Sequence, residues 1–491
     1  MSTIATFIPT LQRNEALSLA KSYDESTIHT LQDRLNQIVS EVELTGASIG
    51  VMVKSLDREG DQAVLFAHDA DKLFTPASNT KILTVLAALQ RLGGDFRYQT
   101  EISYAGELHH DGVLSGDLVI KGFGDPTLHS GAPFQVHDGV SIAQIVAAIT
   151  EKNIRQLTGN IIVDTSYFDE QRLGDGWAWD YESEYYSAQT SPLSLNRGTV
   201  LVEARPGAQV GDAVELALLP NTSYVEILSE ARTASAEETN TLEIKRKRGT
   251  NSIIVKGNLP LGEEVSHSVT VDDPPFYVGT VLKEALAEAG VLLAPDCKVV
   301  GGVEPKDRNR IAALESAPLK EFAKHLNKTS DNHYAEMLLK TMGAIVKGEG
   351  SATAGIEVVR ETLEELGVKG RFELRDGSGL SPYNLVSPRQ ILTVLEAMTT
   401  QAEYESLLHS FPISGVDGTL ESRLTDSPLS QQVKAKTGTL TSVSGLSGYA
   451  TMPSGERLVF SIMGNRYPGE TDYLKAQEDR ILLALADSFA T

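Results

Sequence analysis

Cysteine is nearly absent from the sequence, with Cys297 alone among 491 residues. A single thiol excludes an intramolecular disulfide framework and a cysteine-rich metal site. Cys297 lies in a polar loop context in which we identify no activating base, so we do not expect a catalytic cysteine. The chain also lacks any run approaching the ~18 consecutive apolar residues of a membrane-spanning helix. The sequence therefore predicts neither a disulfide scaffold nor a transmembrane segment.

Positive charge is scarce, and the formal net charge at pH 7 is -23. A surface of this sign repels nucleic acid and anionic membranes, so we expect neither as a general partner. The compact basic run, residues 245–248, lies between strand-like segments and is predicted to be a solvated strand face. The 41% of hydrophobic and 22% of charged residues are typical of a globular protein, and the length favours two or three domains.

Common catalytic and binding motifs are missing as well. The sequence has no His-Glu-x-x-His zinc motif, no phosphate-binding loop, no dinucleotide-binding glycine pattern and no Gly-x-Ser-x-Gly elbow. Its ten histidines show no metal-ligand spacing, so we expect neither a metal ion nor a cofactor. Residues 1–13 show no basic segment, apolar segment or cleavage site of a secretory signal peptide. Either a signal peptide was removed and replaced, or the protein never carried one.

Hydrophobic periodicity indicates the same kind of structure at both chain ends. Helices and strands are expected there, whereas the middle of the chain has a different pattern. The economical interpretation is one α/β domain that an insertion splits in sequence. The elements expected at the two ends are helices at 26–42, 76–92 and 472–489, and strands at 47–56, 63–68, 432–437, 445–452 and 457–463.

The middle of the chain predicts two further units. Short strand-like runs surround one helical segment near residues 142–152, whereas residues 199–270 alternate valine- and isoleucine-rich runs with turn residues. We predict a split catalytic domain at 1–95 plus 300–491, a mixed α/β insertion at 96–198 plus 265–299, and a nested all-β domain at 199–264.

Ser78 and Lys81 form the first candidate site. At the start of a helix, residues three apart lie on one face, so the hydroxyl and the amine can meet. Lysine can take the serine proton only if its pKa is lowered, which burial and a second nearby cation would both do. The same Ser-x-x-Lys pattern occurs at residues 18–21, where it reads as an ordinary helix face. The pattern alone is therefore not diagnostic.

Ser330 and Asn332 form the second candidate, on a turn between two helical segments. A hydroxyl and a carboxamide there could relay a proton and hold a substrate amide. An N-cap cluster for the following helix is an equally natural interpretation. Ser194 and Asn196 give another Ser-x-Asn match, so this pattern is ambiguous too.

Residues 436–438, Lys-Thr-Gly, form the third candidate and occur once. Lys436 and Thr437 could hold a carboxylate, and Gly438 would let a substrate backbone approach the strand closely. The amide of Thr439 could donate to an oxyanion. Each motif is ambiguous alone, but their order along the chain is informative.

The ordered set Ser-x-x-Lys, Ser-x-Asn and Lys-Thr-Gly resembles the serine penicillin-binding proteins and β-lactamases. The long gap between Lys81 and Ser330 resembles the spacing in the low-molecular-mass class C group. These proteins are the D-Ala-D-Ala carboxypeptidase/endopeptidases of peptidase family S13, and they carry two inserted domains in that gap. The similarity spans roughly residues 35–485. Further matching segments are residues 121–128, 376–381 and 415–420, and the stretch from Trp177 through Tyr186, Ser191 and Asn196.

The resemblance implies a β-lactamase/transpeptidase-like α/β domain, in which helices flank an antiparallel sheet, with the insertions described above. It implies that Ser78 attacks the carbonyl of the penultimate D-Ala and that Lys81 is the general base. Ser330 would pass the proton to the leaving amine, and Asn332 would orient Lys81 and the substrate amide.

The remaining roles are also carried over from the family. Lys436, with Thr437, would favour the neutral form of Lys81 and hold the terminal carboxylate. The amides of Ser78 and Thr439 would form the oxyanion hole. Water would then hydrolyse the acyl-enzyme, whereas β-lactam antibiotics would stall at that stage as covalent inhibitors.

The implied substrate is a peptidoglycan stem peptide ending in D-Ala-D-Ala, which predicts a periplasmic, secreted or cell-wall location. Relatives often carry an arginine after the 376–381 segment that helps to recognise the peptidoglycan side chain, but Pro382 and Tyr383 stand here. The resemblance therefore does not specify a diaminopimelate stem, and it gives no oligomeric state. Two alternatives remain. One is a β-lactamase or esterase on the same fold; a tyrosine at the position of Ser330 would have favoured a class C β-lactamase, so Ser330 argues against it. The other is a non-catalytic wall-binding protein.

Overall fold

The structure is a computed structural model that describes residues 25–136 and 139–490. The features predicted from residues 1–13 and 18–21 lie outside the described residues. The helices are α1 (Glu25–Glu43), α2 (Thr80–Leu92), α3 (Ile142–Glu151), α4 (Pro274–Glu288), α5 (Leu319–Thr329), α6 (Asn332–Met342), α7 (Ala352–Glu365), α8 (Pro388–Met398), α9 (Tyr404–Ser410) and α10 (Asp472–Ser488).

The strands cluster at the chain ends and in the middle of the chain. They are β1 (Ser48–Ser55), β2 (Val64–His68), β3 (Gln99–Leu108), β4 (Val113–Gly122), β5 (Gln156–Leu157), β6 (Ile161–Asp164), β7 (Thr199–Arg205), β8 (Glu215–Leu219), β9 (Glu226–Ser229), β10 (Arg232–Ala234), β11 (Glu243–Arg246), β12 (Ser252–Lys256), β13 (Asn258–Pro260), β14 (Val265–Thr270), β15 (Leu292–Leu293), β16 (Val299–Gly301), β17 (Asn309–Glu315), β18 (Val433–Leu440), β19 (Val443–Thr451) and β20 (Arg457–Asn465).

Strands from both chain ends build one antiparallel sheet in the order β18-β19-β20-β1-β2. β1 pairs with β20 along its whole length, from Ser48 opposite Asn465 to Ser55 opposite Leu458. β19 and β20 are buried at nearly every position, because helices cover both faces of the sheet. The predicted α/β domain, an antiparallel sheet flanked by helices and assembled from the two chain ends, is confirmed.

Helix α2 lies at the centre of the helical layer on one face of this sheet. It contacts α5, α6, α7, α8 and α9, and its residues from Thr80 to Leu89 are all buried. The opposite face of the sheet is covered by α1 and α10, whose apolar stripes include Leu35 and Ile481. Because α2 is surrounded by other helices, any charged side chain in its first turns is removed from water.

The insertion begins with the β3–β4 hairpin, which joins a seven-stranded sheet with β5, β6, β15, β16 and β17. β17 pairs with β3, from Asn309 opposite Tyr104 to Glu315 opposite Gln99. The chain thus leaves this sheet after Glu315, later than the predicted return to the catalytic domain at residue 300. The division into domains itself stays a prediction.

The all-β region contains three small sheets, β14-β7-β8, β11-β12-β9 and β10-β13. The basic run in β11 was predicted to be a solvated strand face, and this prediction is wrong for Arg246. Its side chain is buried and donates hydrogen bonds to the carbonyls of Thr250 and Glu182. Alternate residues of a strand point to opposite faces, so Lys245 lies outward where Arg246 lies inward. None of the described helices has both the length and the apolar character needed to cross a lipid bilayer.

Candidate active site

Ser78 lies on a single turn of 3-10 helix, Ala77–Asn79, which leads directly into α2. Ala77 has a φ of 47°, a left-handed conformation that is unfavourable for a residue with a Cβ atom. Such strain persists only where the surrounding structure holds the backbone in place. Here it presents the Ser78 hydroxyl to a cleft, 2.9 Å from the Nζ atom of Lys81.

Lys81 is fully buried and contacts three oxygen acceptors that carry no formal charge. Its Nζ atom lies 2.9 Å from the Oγ atom of Ser78, 2.6 Å from the Oδ1 atom of Asn332 and 2.7 Å from the carbonyl oxygen of Ser378. Burial lowers the pKa of Lys81 from 10.5 to about 8, against the opposing charges of Asp376 and Glu336. At pH 7 such a lysine is neutral in roughly a tenth of the molecules, which allows it to act as a base.

Lys436 is a second fully buried lysine in the same site. Its Nζ atom donates to the Oγ atom of Ser330 at 2.8 Å and to the carbonyl oxygen of Thr437 at 2.9 Å. Burial and the positive charge of Lys81 hold the pKa of Lys436 well below its ordinary value. The charge of Lys81 thus disfavours a charge on Lys436, and the two amines hydrogen-bond to two different hydroxyls of the cleft.

The turn of Ser330, Asp331 and Asn332 joins α5 to α6 and borders the cleft. Asp331 is the N-cap of α6 and accepts a hydrogen bond from the amide of Tyr334 at 3.1 Å. Ser330 adopts a left-handed φ of 61°, and its hydroxyl and the Asn332 side chain face the cleft. The residue that caps α6 and the side chains that face the cleft are therefore different residues of one turn.

Residues of the insertion hold this turn in place. The Asn332 Nδ2 atom donates to the carbonyl oxygen of Tyr186 at 2.8 Å, which fixes Oδ1 towards Lys81. Arg197 pairs with Asp331 at 3.1 Å. Burial alone would raise the pKa of Asp331, but its hydrogen bond with His325 and the charge of Arg197 lower it well below the ordinary value. Asp331 is therefore held as a carboxylate.

The Lys-Thr-Gly segment lies in β18, the edge strand of the sheet. The Oγ1 atom of Thr437 donates to the Oγ1 atom of Thr419 at 2.7 Å. Gly438 passes so close to the serine turn that a Cβ atom there would be 2.6 Å from the carbonyl oxygen of Pro76 and 3.1 Å from the amide nitrogen of Ser78. Only glycine lets the strand approach the turn at this distance.

A cleft of about 460 Å³ unites the three motifs. Ser78, Ser330, Asn332, Thr437 and Thr439 line it, while Lys81, Lys436 and Gly438 lie immediately behind them through the contacts given above. The structure thus brings all eight predicted site residues together. The second Ser-x-Asn match lies elsewhere, inside the insertion. There Asn196 bonds to Ser130 and Tyr277.

The sequence did not indicate a role for two buried carboxylates, those of Glu336 and Asp376. Glu336 accepts hydrogen bonds from the amides of Gly377 and Ser378, and Asp376 accepts from those of Gly379 and Ser381. Burial and the nearby charge of Asp376 raise the pKa of Glu336 to about 7. The available signals were weak: Glu336 interrupts an apolar helix face one turn after Asn332, and Asp376 lies in a segment that had no assigned role.

Within residues 25–136 and 139–490, one group of side chains could offer three metal ligands close together, namely Glu43, His68 and Asp69. Lys72 already donates to Asp69 at 2.7 Å, and the group belongs to neither the cleft nor the three motifs. It carries no argument for a metal-dependent reaction.

A serine beside a buried lysine, in a polar cleft at the edge of an antiparallel sheet, defines the class of serine acyl-transfer enzymes with a lysine base. The chain belongs to the D-Ala-D-Ala carboxypeptidase 3 (S13) family, whose model matches residues 31–487. This finding confirms the resemblance to class C penicillin-binding proteins and the prediction of a serine-type carboxypeptidase.

Individual relatives agree with the family. The chain is 34% identical to a D-alanyl-D-alanine carboxypeptidase of Actinomadura sp., over 93% of this chain and 84% of that protein. It is 27% identical to the D-alanyl-D-alanine carboxypeptidase DacB of Haemophilus influenzae, over 86% of each. The crystal structure of penicillin binding protein 4 from Haemophilus influenzae is similar, with a TM-score of 0.79, 26% identity and coverage of 91% of this chain and 99% of that chain.

Replacing Gly438 with alanine is expected to slow acylation by a penicillin on the order of 10²-fold, because the methyl group displaces the serine turn. Stopped-flow labelling with a fluorescent penicillin measures this rate. Gly301→Ala is the control, since a Cβ atom there meets only the Cζ atom of Phe276 at an ordinary 3.6 Å. Equal acylation rates for the two variants would show that acylation does not require this close approach.

Replacing Arg197 with alanine is expected to lower the acylation rate roughly tenfold, because Asp331 loses the partner that fixes the Ser330–Asn332 turn. Arg197→Lys should recover part of the rate. Arg172→Ala is the control, since the Arg172 side chain is about as exposed as that of Arg197 and also pairs with an aspartate, Asp273. If both alanine variants lower only the melting temperature, Arg197 has no role in positioning the turn.

Proposed function

We propose that the chain hydrolyses the D-Ala-D-Ala bond of peptidoglycan stem peptides through an acyl-enzyme on Ser78, and that β-lactams acylate the same serine. The observation that carries this proposal is the contact of the buried amine of Lys81 with both Ser78 and Asn332. The Haemophilus influenzae relative has also been crystallised in complex with a β-lactam, which is in line with it. Because such stem peptides lie outside the cytoplasm, we propose an extracytoplasmic location.

Acylation would begin on the neutral form of Lys81. Its amine accepts the proton of the Ser78 hydroxyl while Oγ forms a bond to the carbonyl carbon of the penultimate D-Ala. The developing oxyanion would be held by the amides of Ser78 and Thr439. The absence of a side chain at Gly438 lets β18 come close to the serine turn that carries the Ser78 amide.

Collapse of the tetrahedral intermediate breaks the bond between carbon and nitrogen, and the leaving D-Ala amine needs a proton. Ser330 lines the same cleft as Ser78, so we assign it the relay of that proton from Lys81 to the amine. A water molecule then attacks the ester, which releases the shortened peptide as a carboxylic acid and returns the proton to Ser78. No step requires a metal or a redox cofactor.

The terminal carboxylate of the substrate would meet the hydroxyls of Thr437 and Thr439, which line the cleft. The Nζ atom of Lys436 is buried behind them and is occupied by Ser330 and the Thr437 carbonyl. We therefore assign Lys436 the role of holding Ser330 in place, while the threonines make the direct contacts with the carboxylate.

The acyl side of the substrate would lie against an aromatic wall that the insertion supplies. Tyr181, Tyr185 and Tyr186 line the cleft beside Asn332. Tyr383 is largely exposed and packs over Gly176 of the insertion, at the place where an arginine is common in relatives. We infer that this chain recognises the stem peptide through aromatic contacts more than through an arginine.

We keep the three-domain division as a proposal, with the second catalytic segment starting near residue 316.

Labelling with a fluorescent penicillin tests the nucleophile. Ser78→Ala is expected to abolish the covalent label, because Ser78 is the one hydroxyl among the described residues to which Lys81 donates a hydrogen bond. Ser194→Ala, in the other Ser-x-Asn match, should label like the wild type. Label that persists on Ser78→Ala would remove Ser78 from its role. Wild type that takes no label would favour the wall-binding alternative, and turnover of nitrocefin faster than a D-Ala-D-Ala peptide would favour a β-lactamase.

The pH profile of acylation tests the base. Lys81 must be neutral to accept the serine proton, so the rate should rise with pH and level off above about 8. The negative charge of Glu336 raises the pKa of Lys81, so Glu336→Gln should move the midpoint to lower pH. Glu321→Gln, on the surface of α5, is the control. A rate that does not vary with pH would exclude Lys81 as the base.

A further inference from the structure

Two glycines, Gly438 and Gly445, face each other across β18 and β19 next to the serine turn. A Cβ atom on Gly445 would lie 2.6 Å from the Nδ2 atom of Asn79, and one on Gly438 would lie 2.9 Å from the same atom. Both distances are shorter than real Cβ contacts, so side chains at these two positions would displace the carboxamide. The missing side chains therefore leave a gap in the face of the sheet, and the carboxamide of Asn79 fills it.

Asn79 is fully buried, but it does not use its carboxamide as an asparagine at a helix start usually does. It is the N-cap residue of α2, a position where asparagine commonly accepts a hydrogen bond from a backbone amide, yet its side chain makes no such bond. Its Nδ2 atom donates to the carbonyl oxygen of Pro76 over a long 3.4 Å. Its Oδ1 atom has no hydrogen-bond partner among residues 25–136 and 139–490. Helix capping therefore does not account for this side chain.

The steric fit between the carboxamide and the sheet does account for it. A buried acceptor without a partner lowers stability, so hydrogen bonding alone does not hold the Asn79 side chain in this place. The carboxamide is flat, and the gap between the two facing glycines is only one Cβ atom deep on each strand. A close-packed group in such a gap resists displacement, because a shift either opens a void or forces an overlap. The Asn79 side chain thus acts as a spacer between the serine turn and the sheet.

The spacer lies between the two amides that are assigned to the oxyanion hole. Asn79 follows Ser78 directly in the chain, and Gly438 directly precedes Thr439. A Cβ atom on Gly438 would also lie only 3.1 Å from the amide nitrogen of Ser78. The contact between Asn79 and Gly438 is therefore one residue away from each of the two amides. A change in this contact changes the separation of the amides.

We propose that Asn79 is a positioning residue for the oxyanion hole, and that its packing against Gly438 and Gly445 sets the distance between the amides of Ser78 and Thr439. The inference rests on the proposed function, because it takes the acylation of Ser78 as the reaction. Negative charge develops on the carbonyl oxygen only as the tetrahedral intermediate forms. Misplaced amides therefore slow the chemical step more than they weaken the binding of penicillin.

The kinetics of penicillin acylation separate the chemical step from binding. Asn79→Ala is expected to lower the rate constant of acylation at saturating penicillin roughly tenfold and to leave the dissociation constant of the initial complex within about twofold. Stopped-flow labelling over a range of penicillin concentrations measures both constants. Asn327→Ala is the matched control, because Asn327 is also fully buried, donates through Nδ2 and leaves Oδ1 without a partner among the described residues. It should lower the melting temperature as Asn79→Ala does but keep the rate constant of acylation.

Gly445→Ala tests the fit itself. Alone, it should slow acylation, because its Cβ atom overlaps the Asn79 carboxamide. Combined with Asn79→Ala, it should recover most of the lost rate, because the new methyl group takes the space that the carboxamide leaves. The nearest atom outside Asn79 is the carbonyl oxygen of Ile462, at 3.4 Å. Gly438→Ala should show no such recovery, because its Cβ atom lies 2.6 Å from the carbonyl oxygen of Pro76 with either residue at position 79.

The outcomes distinguish this inference from the proposed function. A wild-type rate constant in Asn79→Ala, or a double variant no faster than Gly445→Ala, would overturn the spacer and leave the proposed function in place. Equal recovery of Gly438→Ala would do the same, since it would indicate a general loosening of the turn. If Asn79→Ala does not fold, Gly445→Ala alone decides, with a slower rate in favour and an unchanged rate against. Wild type that takes no penicillin label would refute the proposed function, and the positioning role with it.

Discussion

The active site depends on the burial of two lysine amines in one polar cavity. Removing an ammonium group from water costs several kcal/mol, so a buried lysine stays charged only where carboxylates compensate. The amines of Lys81 and Lys436 contact only hydroxyl, amide and carbonyl oxygens, which solvate an ammonium without neutralising it. The carboxylates of Glu336 and Asp376 lie one layer behind. Burial and these two carboxylates act in opposite directions on the pKa of Lys81, which burial lowers to about 8.

The same two carboxylates also determine the geometry. Each accepts hydrogen bonds from backbone amides of residues 377–381, and this loop directs the carbonyl of Ser378 at Lys81. Gly379 of the loop passes so close to the serine turn that a Cβ atom would lie 1.9 Å from the carbonyl oxygen of Ala77. The loop therefore couples the strained backbone at Ala77 to the position of the amine. One set of hydrogen bonds fixes both the nucleophile and its base.

Sequence reasoning could predict what depends on local periodicity and on the order of motifs. The sheet strands and α2 follow from apolar patterns, and Ser78 and Lys81 are three residues apart on one helix start. Long-range partners leave no such signal: Lys81 and Asn332 are 251 positions apart, and the contact of Asn332 with Tyr186 depends on how the insertion folds back. The pairing of β17 with β3 is a long-range contact of the same kind. The positive charge of residues 245–248 wrongly predicted that Arg246 is exposed, because the alternation of side chains along the strand directs Arg246 inward.

The insertion helps to form the cleft, because it contacts the Ser330–Asn332 turn and the helix that follows it at several points. Tyr186 and Arg197 hold Asn332 and Asp331, and Lys340 of α6 bonds back to Asp169 of the insertion. The insertion also supplies Tyr181, Tyr185 and Tyr186 to the lining of the cleft, whereas Thr419, Thr437 and Thr439 come from the C-terminal part of the chain. Two different parts of the fold thus line one cleft. Substitutions at the tyrosines can therefore change its lining without touching β18.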